Sequence, residues 1–146
     1  MKKRNVALCC IIAGILLISK NLIAQQPVNW NDQDLIKPAD LAKTLNAGEN
    51  LPVIYNIGPS PIIPHSIDIG MLNDEKNMAA FKKQISKLPK TTNIVVYCGC
   101  CPYEHCPNTR PAIALLKRMD FSNFHLLDLP NNIKTDWIAK GYPVKQ

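Results

Sequence analysis

Short unbroken apolar runs alternate along most of this chain with stretches whose apolar residues recur every third or fourth position, the pattern of strands alternating with amphipathic helices. Leu35-Ile36 reads as a short strand, and Pro38 to Leu45 as a helix with proline near its start and Leu41 and Leu45 one turn apart. Leu51 to Ile57 is a buried-type strand that must end in a turn at Gly58-Pro59-Ser60-Pro61. Ile67-Asp68-Ile69 alternates like a brief edge strand. From Asp74 to Leu88 the spacing predicts a helix: Met78, Phe81, Ile85 and Leu88 share one face, Lys76, Lys82, Lys83 and Lys87 form a solvated remainder, and Pro89 stops it. Asn93 to Cys98 is the most apolar strand and belongs near a sheet centre. Ala112, Leu115, Leu116 and Met119 then mark a helix packed on that sheet. Phe124 to Leu127 is a further strand, and a last helix near Ile133 to Lys140 closes on Gly141. Such alternation with short connections implies a single α/β domain, an open, mainly parallel sheet with helices on both faces. In sheets of this kind the site lies at the carboxyl ends of the strands, where Cys98 stands.

The N-terminus breaks this pattern. Lys2, Lys3 and Arg4 precede an apolar stretch from Val6 to Ile18, and Leu22-Ile23-Ala24 offers small-residue cleavage before Gln25. Residues 1–24 therefore read as a secretory signal and residues 25–146 as the mature domain, secreted or periplasmic, with no stable membrane anchor after cleavage. An uncleaved N-terminal anchor is the alternative, although the stretch is short for a bilayer and is followed by Lys20 and Asn21. Cys9 and Cys10 fall within the signal and are removed with it.

Export changes the charge reading. Four of the 17 Lys and Arg precede residue 25 and all 11 acidic residues follow it, so 13 basic residues face 11 acidic ones in the mature domain. The formal +6 of the whole chain is mostly a property of its targeting segment. No basic stripe with interleaved aromatics remains, which argues against a nucleic-acid partner. No oligomeric state is assigned.

Four of the six cysteines crowd into Cys98-Gly-Cys-Cys-Pro-Tyr-Glu-His-Cys-Pro-Asn-Thr-Arg-Pro. The segment runs from a strand end to a helix start, where free backbone N–H groups and the helix dipole favour a thiolate. In an oxidising compartment, two structural disulfides are one reading, and four cysteines allow three pairings. All four lie in one loop, however, so such bridges would tie no distant elements together. A second reading is thiol–disulfide chemistry, for which Cys98 and Cys101 have Cys-x-x-Cys spacing. A third is a thiophilic ion, Cu(I) or Zn(II), held by the cysteines with His105. That spacing is not a zinc ribbon's, and adjacent Cys100 and Cys101 converge on one ion only through a sharp turn. The sequence thus assigns no metal and no cofactor. A fourth reading is a non-catalytic, disulfide-stapled binding module.

Several segments fall in a familiar order: Asp34-Leu-Ile-Lys-Pro-Ala-Asp-Leu, Pro52-Val-Ile-Tyr-Asn-Ile, Asn93-Ile-Val-Val-Tyr-Cys98, Ala112-Ile-Ala-Leu-Leu, Phe121-Ser-Asn-Phe-His-Leu-Leu and Trp137-Ile-Ala-Lys-Gly-Tyr-Pro-Val. Together they resemble the rhodanese-like domain over nearly all of the mature chain. The resemblance implies that Cys98 accepts a sulfane sulfur as a persulfide and yields it to a thiol or other thiophilic acceptor. The partners implied are a small sulfur-containing substrate and that acceptor. It further implies that loop amides and Arg110 bind an anionic donor. Cys106, close to the helix start, competes for the nucleophile role through a depressed pKa. Cys100 and Cys101 are resolving or modulating thiols, and His105, Asn108 and Thr109 are further loop contributors. The chain departs from the family pattern in a loop about five residues longer, which holds the extra cysteines. Asn56-Ile57-Gly58 stands in place of Asp-x-Arg, and Pro130-Asn131 in place of Gly-Gly. His65 reads as a surface histidine, His125 as part of a strand, Trp137 and Phe124 as core, and Trp30 as a pin for the leading segment.

Overall fold

The computed structural model describes residues 30–146. The expected signal segment, with Cys9 and Cys10, lies outside the described residues. Five parallel strands form one sheet in the order β1-β5-β4-β2-β3. They are β1 (Leu35–Ile36), β2 (Val53–Asn56), β3 (Ile67–Asp68), β4 (Ile94–Tyr97) and β5 (Phe124–Leu127). Three α-helices connect strands, α1 (Pro38–Ala47), α2 (Glu75–Ile85) and α3 (Thr109–Arg118), and the short α4 (Ile133–Asp136) follows β5. The expected fold class holds, with every strand pair parallel. Among the described residues no helix is long and apolar enough to cross a membrane.

Strand β4 is central because it is apolar at every position, and all four of its residues are fully buried. Its alternation divides the core in two. Ile94, Val96 and Cys98 pack with Tyr55, with Phe81 and Ile85 of α2, and with Ile113 and Leu116 of α3. Val95 and Tyr97 pack on the other side with Leu41 of α1, Ile54, Leu127 and Trp137. Cys98 thus continues the side-chain alternation of β4 and faces the layer that carries α3.

Asp74 caps α2 by accepting the N–H groups of Lys76 and Asn77. That helix ends at Ile85, short of the expected Leu88. Helix α3 begins at Thr109, three residues before the first apolar marker at Ala112. Asn108 already has near-helical dihedrals, and Pro111 sits in the first turn, where a missing N–H costs nothing. The expected last helix is broken in two. Trp137, at φ −125° and ψ −64°, separates α4 from a 3-10 turn at Ile138–Lys140, and Gly141 closes that turn at φ 72°. The break accompanies full burial of the Trp137 indole, whose Nε1 donates to the Pro143 carbonyl at 2.7 Å. Lys117 of α3 pairs with Asp34 at 2.8 Å, an exposed contact worth at most about 1 kcal/mol.

Candidate functional site at the carboxyl end of the central strand

The loop from Cys98 to Asn108 leaves β4 and is anchored at several points. The Ile133 N–H donates to the Gly99 carbonyl at 3.0 Å, and the Tyr103 N–H to the Leu129 carbonyl at 3.2 Å. Residues Tyr103–His105 form a 3-10 turn. The Thr109 hydroxyl lies 2.9 Å from the Tyr103 carbonyl and 3.0 Å from that of Cys106, closing the loop against the helix start.

A second wall comes from the segment after β2. Buried Asn56 accepts the Gly58 N–H at 3.2 Å and donates through Nδ2 to the Gly58 carbonyl at 3.0 Å and to Asp68 at 2.8 Å. The tight turn brings Gly58 against the nucleophile candidate: a Cβ there would lie 3.0 Å from Cys98 Sγ and 3.2 Å from Cys98 Cα. The Tyr97 hydroxyl accepts the Ile62 and Ile63 N–H groups at 3.0 and 3.2 Å, holding the chain that follows.

All four cysteines of the loop are free thiols. Cys98 is 2 % exposed and Cys106 fully buried, Cys101 is half-buried, and Cys100 is exposed. The Cys98 and Cys100 sulfurs are 3.3 Å apart, as are those of Cys100 and Cys101. Cys98, Cys100 and Cys106 place their sulfurs within 4.8 Å of one another. Asn108 Nδ2 donates to Cys98 Sγ at 3.5 Å, while Asn108 Oδ1 accepts the Asn73 N–H at 3.2 Å.

These contacts decide which sulfur carries the charge. The Cys98 pKa falls to about 5, chiefly because Cys106 hydrogen-bonds to its thiolate; burial opposes the shift, and Asn108 and the Cys100 N–H and thiol reinforce it. Cys106 moves up, because its proton is held in the bond to Cys98 and because it is buried. Cys100 is pushed up to about 12, first by desolvation and then by its bonds to Cys101 and Cys98. The thiols titrate as a coupled set with the negative charge on Cys98. The expected depression of the Cys106 pKa is therefore reversed: proximity to the helix start is outweighed by burial and by donation to Cys98.

In reduced, metal-free protein, alkylation of Cys98 should rise with a midpoint near pH 5 and stay level through neutrality, since the thiolate persists above its lowered pKa. Peptide-resolved labelling from pH 4 to 9 checks this, and a midpoint near that of an ordinary thiol, about 8.5, would contradict it. Asn108→Ala should raise the midpoint and also lower stability by about 1–3 kcal/mol, because the Asn73 N–H loses its acceptor. Thermal melts together with the same labelling profile measure both effects.

Other candidates are placed less centrally. Arg110, in the first turn of α3, is half-buried, with its guanidinium over the Trp30 ring, 5.1 Å from the centroid. Trp30 also packs on Tyr103 at 5.7 Å between centroids, which sets it against the cysteine loop. His105 is exposed on the 3-10 turn, His65 is exposed at a positive φ of 61°, and His125 is half-buried in β5. An open cleft beside Lys37, Asp128, Asp136 and Tyr142 includes none of the cysteines. The sequence reading passed over Asn73, Gly58 and Gly99. Their signals are a backbone N–H and two missing side chains, which become visible only once the loops are brought together.

The fold has counterparts among solved structures. The solution structure of the rhodanese-like domain of the Alr3790 protein from Anabaena superposes with a TM-score of 0.54 at 20 % identity, covering 77 % of this chain and 78 % of that one. The fold is that of a rhodanese-like domain. A crystal structure of Alr3790 gives this chain a TM-score of 0.55 at 19 % identity, covering 75 % and 90 % of the two chains. A full-length protein from Lactobacillus plantarum gives 0.54 at 13 % identity, covering 98 % and 99 %. No protein-family model and no curated protein matches the sequence.

Proposed function

We propose that this is an exported, sulfurtransferase-type protein that captures sulfane sulfur on Cys98 as a persulfide. The observation that carries the reading is the placement of Cys98. Its sulfur is buried at the carboxyl end of the central strand of a rhodanese-like sheet and accepts a hydrogen bond from Asn108. A persulfide formed there is shielded from bulk oxidants and stabilised by the donors that surround the thiolate.

With thiosulfate as donor, the Cys98 thiolate attacks the outer sulfur and the donor's S–S bond breaks. Sulfite leaves with the bonding pair. Charge balances, because the persulfide keeps the thiolate's negative charge and sulfite takes both charges of thiosulfate. A thiolate or cyanide then attacks the outer sulfur and restores the Cys98 thiolate, a good leaving group because its pKa is low. Arg110 and the loop N–H groups are the proposed anion contacts. Residues 1–24 support placing the reaction outside the cytoplasm. A disulfide-stapled module draws no support from four free thiols.

The test is thiosulfate-to-cyanide transfer by the mature domain, followed as thiocyanate. Turnover that depends on Cys98 supports the reading. No sulfite release from thiosulfate together with no thiol release from an organic persulfide donor rules it out.

A further inference from the structure

The geometry points to a Cu(I) site formed by the sulfurs of Cys98, Cys100 and Cys106. The spacing argument against a metal concerned the neighbours Cys100 and Cys101, and the fold removes that obstacle by leaving Cys101 outside the cluster. Cys98 ends the central strand, Cys100 follows one glycine later, and the chain returns through the 3-10 turn to deliver Cys106 from the other side. Three sulfurs around a metal at about 2.3 Å lie about 4 Å from one another. Here the Cys98 and Cys100 sulfurs are 3.3 Å apart and every pair in the trio is within 4.8 Å. Closing on an ion therefore needs only sub-ångström adjustments of side chains.

The donor set selects the ion. It is all sulfur, with no histidine or carboxylate in the cluster among the described residues, which favours a soft ion. It has three members, whereas structural zinc takes four in a tetrahedron. Three thiolates suit trigonal Cu(I). Exposed Cys100 gives the ion a way in, and the burial of Cys98 and Cys106 shelters it from water and oxidant. Asn108 supplies an outer contact, its Nδ2 donating to the Cys98 sulfur.

Binding involves no electron transfer. Copper arrives and stays as Cu(I); the Cys98 thiolate binds as it stands, and the S–Cu bonds of Cys100 and Cys106 each replace an S–H bond whose proton leaves to solvent. Because Cys98 has one sulfur for either purpose, copper occupancy and persulfide formation exclude each other.

The experiment is anaerobic competition between the reduced mature domain and bicinchoninate for Cu(I), with no sulfur donor present, so the outcome is independent of the sulfurtransferase reading. The expected result is one Cu(I) per chain, with X-ray absorption showing three sulfur neighbours at about 2.3 Å. Cys100→Ser, a change at an exposed position, should weaken binding by more than the roughly 10–100-fold cost of an outer-contact change, and Cys106→Ser likewise. Cys101→Ser should weaken binding far less than Cys100→Ser, since Cys101 contacts ligand sulfurs without joining the trio. No copper retained against bicinchoninate, or equal losses for Cys101→Ser and Cys100→Ser, would overturn the assignment. The absorption spectrum of the unaltered domain decides the matter if Cys106→Ser does not fold.

Discussion

Cys98→Ser should abolish sulfur uptake and reduce thiosulfate-to-cyanide transfer by at least about 10³-fold, while Cys101→Ser keeps most of it. The expectation follows from where each sulfur sits. Cys98 accepts from the Asn108 side-chain amide, and its thiolate is favoured at neutral pH. Cys106 donates to it and is driven toward the thiol. A serine hydroxyl has a far higher pKa than a thiol and attacks sulfane sulfur poorly, so no neighbour substitutes for the lost nucleophile. Cys101 bonds to Cys100, at 3.3 Å, and to Cys106, one step removed from the reacting sulfur. Steady-state kinetics on both variants, with circular dichroism to verify folding, measure the contrast. Transfer retained in Cys98→Ser would move the chemistry to another thiol.

The second large effect is steric. Gly99→Ala should destabilise the domain by about 1–3 kcal/mol and lower its Tm by several degrees. A Cβ at position 99 would stand 2.7 Å from Ile133 Cβ and 2.8 Å from Ile133 Cγ2, closer than side chains pack. Relief requires moving either α4 or the cysteine loop, and those two are joined by the bond from the Ile133 N–H to the Gly99 carbonyl. The same displacement would spread the Cys98–Cys100 pair, so the alkylation profile should change together with stability. Gly58→Ala is a softer variant of the same test. Its nearest contact is the Cys98 sulfur at 3.0 Å, so it should impair sulfur transfer more than folding. Thermal unfolding and transfer assays on both variants separate the two effects, and an unchanged Tm for Gly99→Ala would contradict the packing described.

The middle of the sheet was legible in the sequence because its strands are largely buried. Ile94–Tyr97 is a uniform apolar run and Phe124–Leu127 is broken only by half-buried His125, and burial leaves such runs little choice of structure. Helix ends were less legible. Asn108, Thr109 and Arg110 belong to the start of α3 yet carry no apolar marker, since their side chains serve the loop: Asn108 the Cys98 sulfur, Thr109 two loop carbonyls and Arg110 the Trp30 ring. The last helix broke at Trp137 because tertiary burial of an indole overrode local periodicity.

At the site, the identity of Cys98 could be read from its place after an apolar strand. The partnership among the thiols could not, because chain proximity and spatial proximity diverge in a folded loop. Cys106, eight positions away, is held within 4.8 Å of Cys98 and tunes it, whereas Cys101 is left outside that cluster. The amide that steadies Cys98 depends in turn on Asn73, thirty-five positions before Asn108. No local pattern encodes that bond, which forms only when the α2 approach and the α3 start meet.

The most direct measurement is the intact mass of the reduced, metal-free mature domain after thiosulfate, with peptide mapping. The account predicts a reducible gain of one sulfur atom per chain, located on the peptide containing Cys98 and absent in Cys98→Ser. No gain with thiosulfate or an organic persulfide, or a gain on another cysteine while Cys98 stays unmodified, would contradict it.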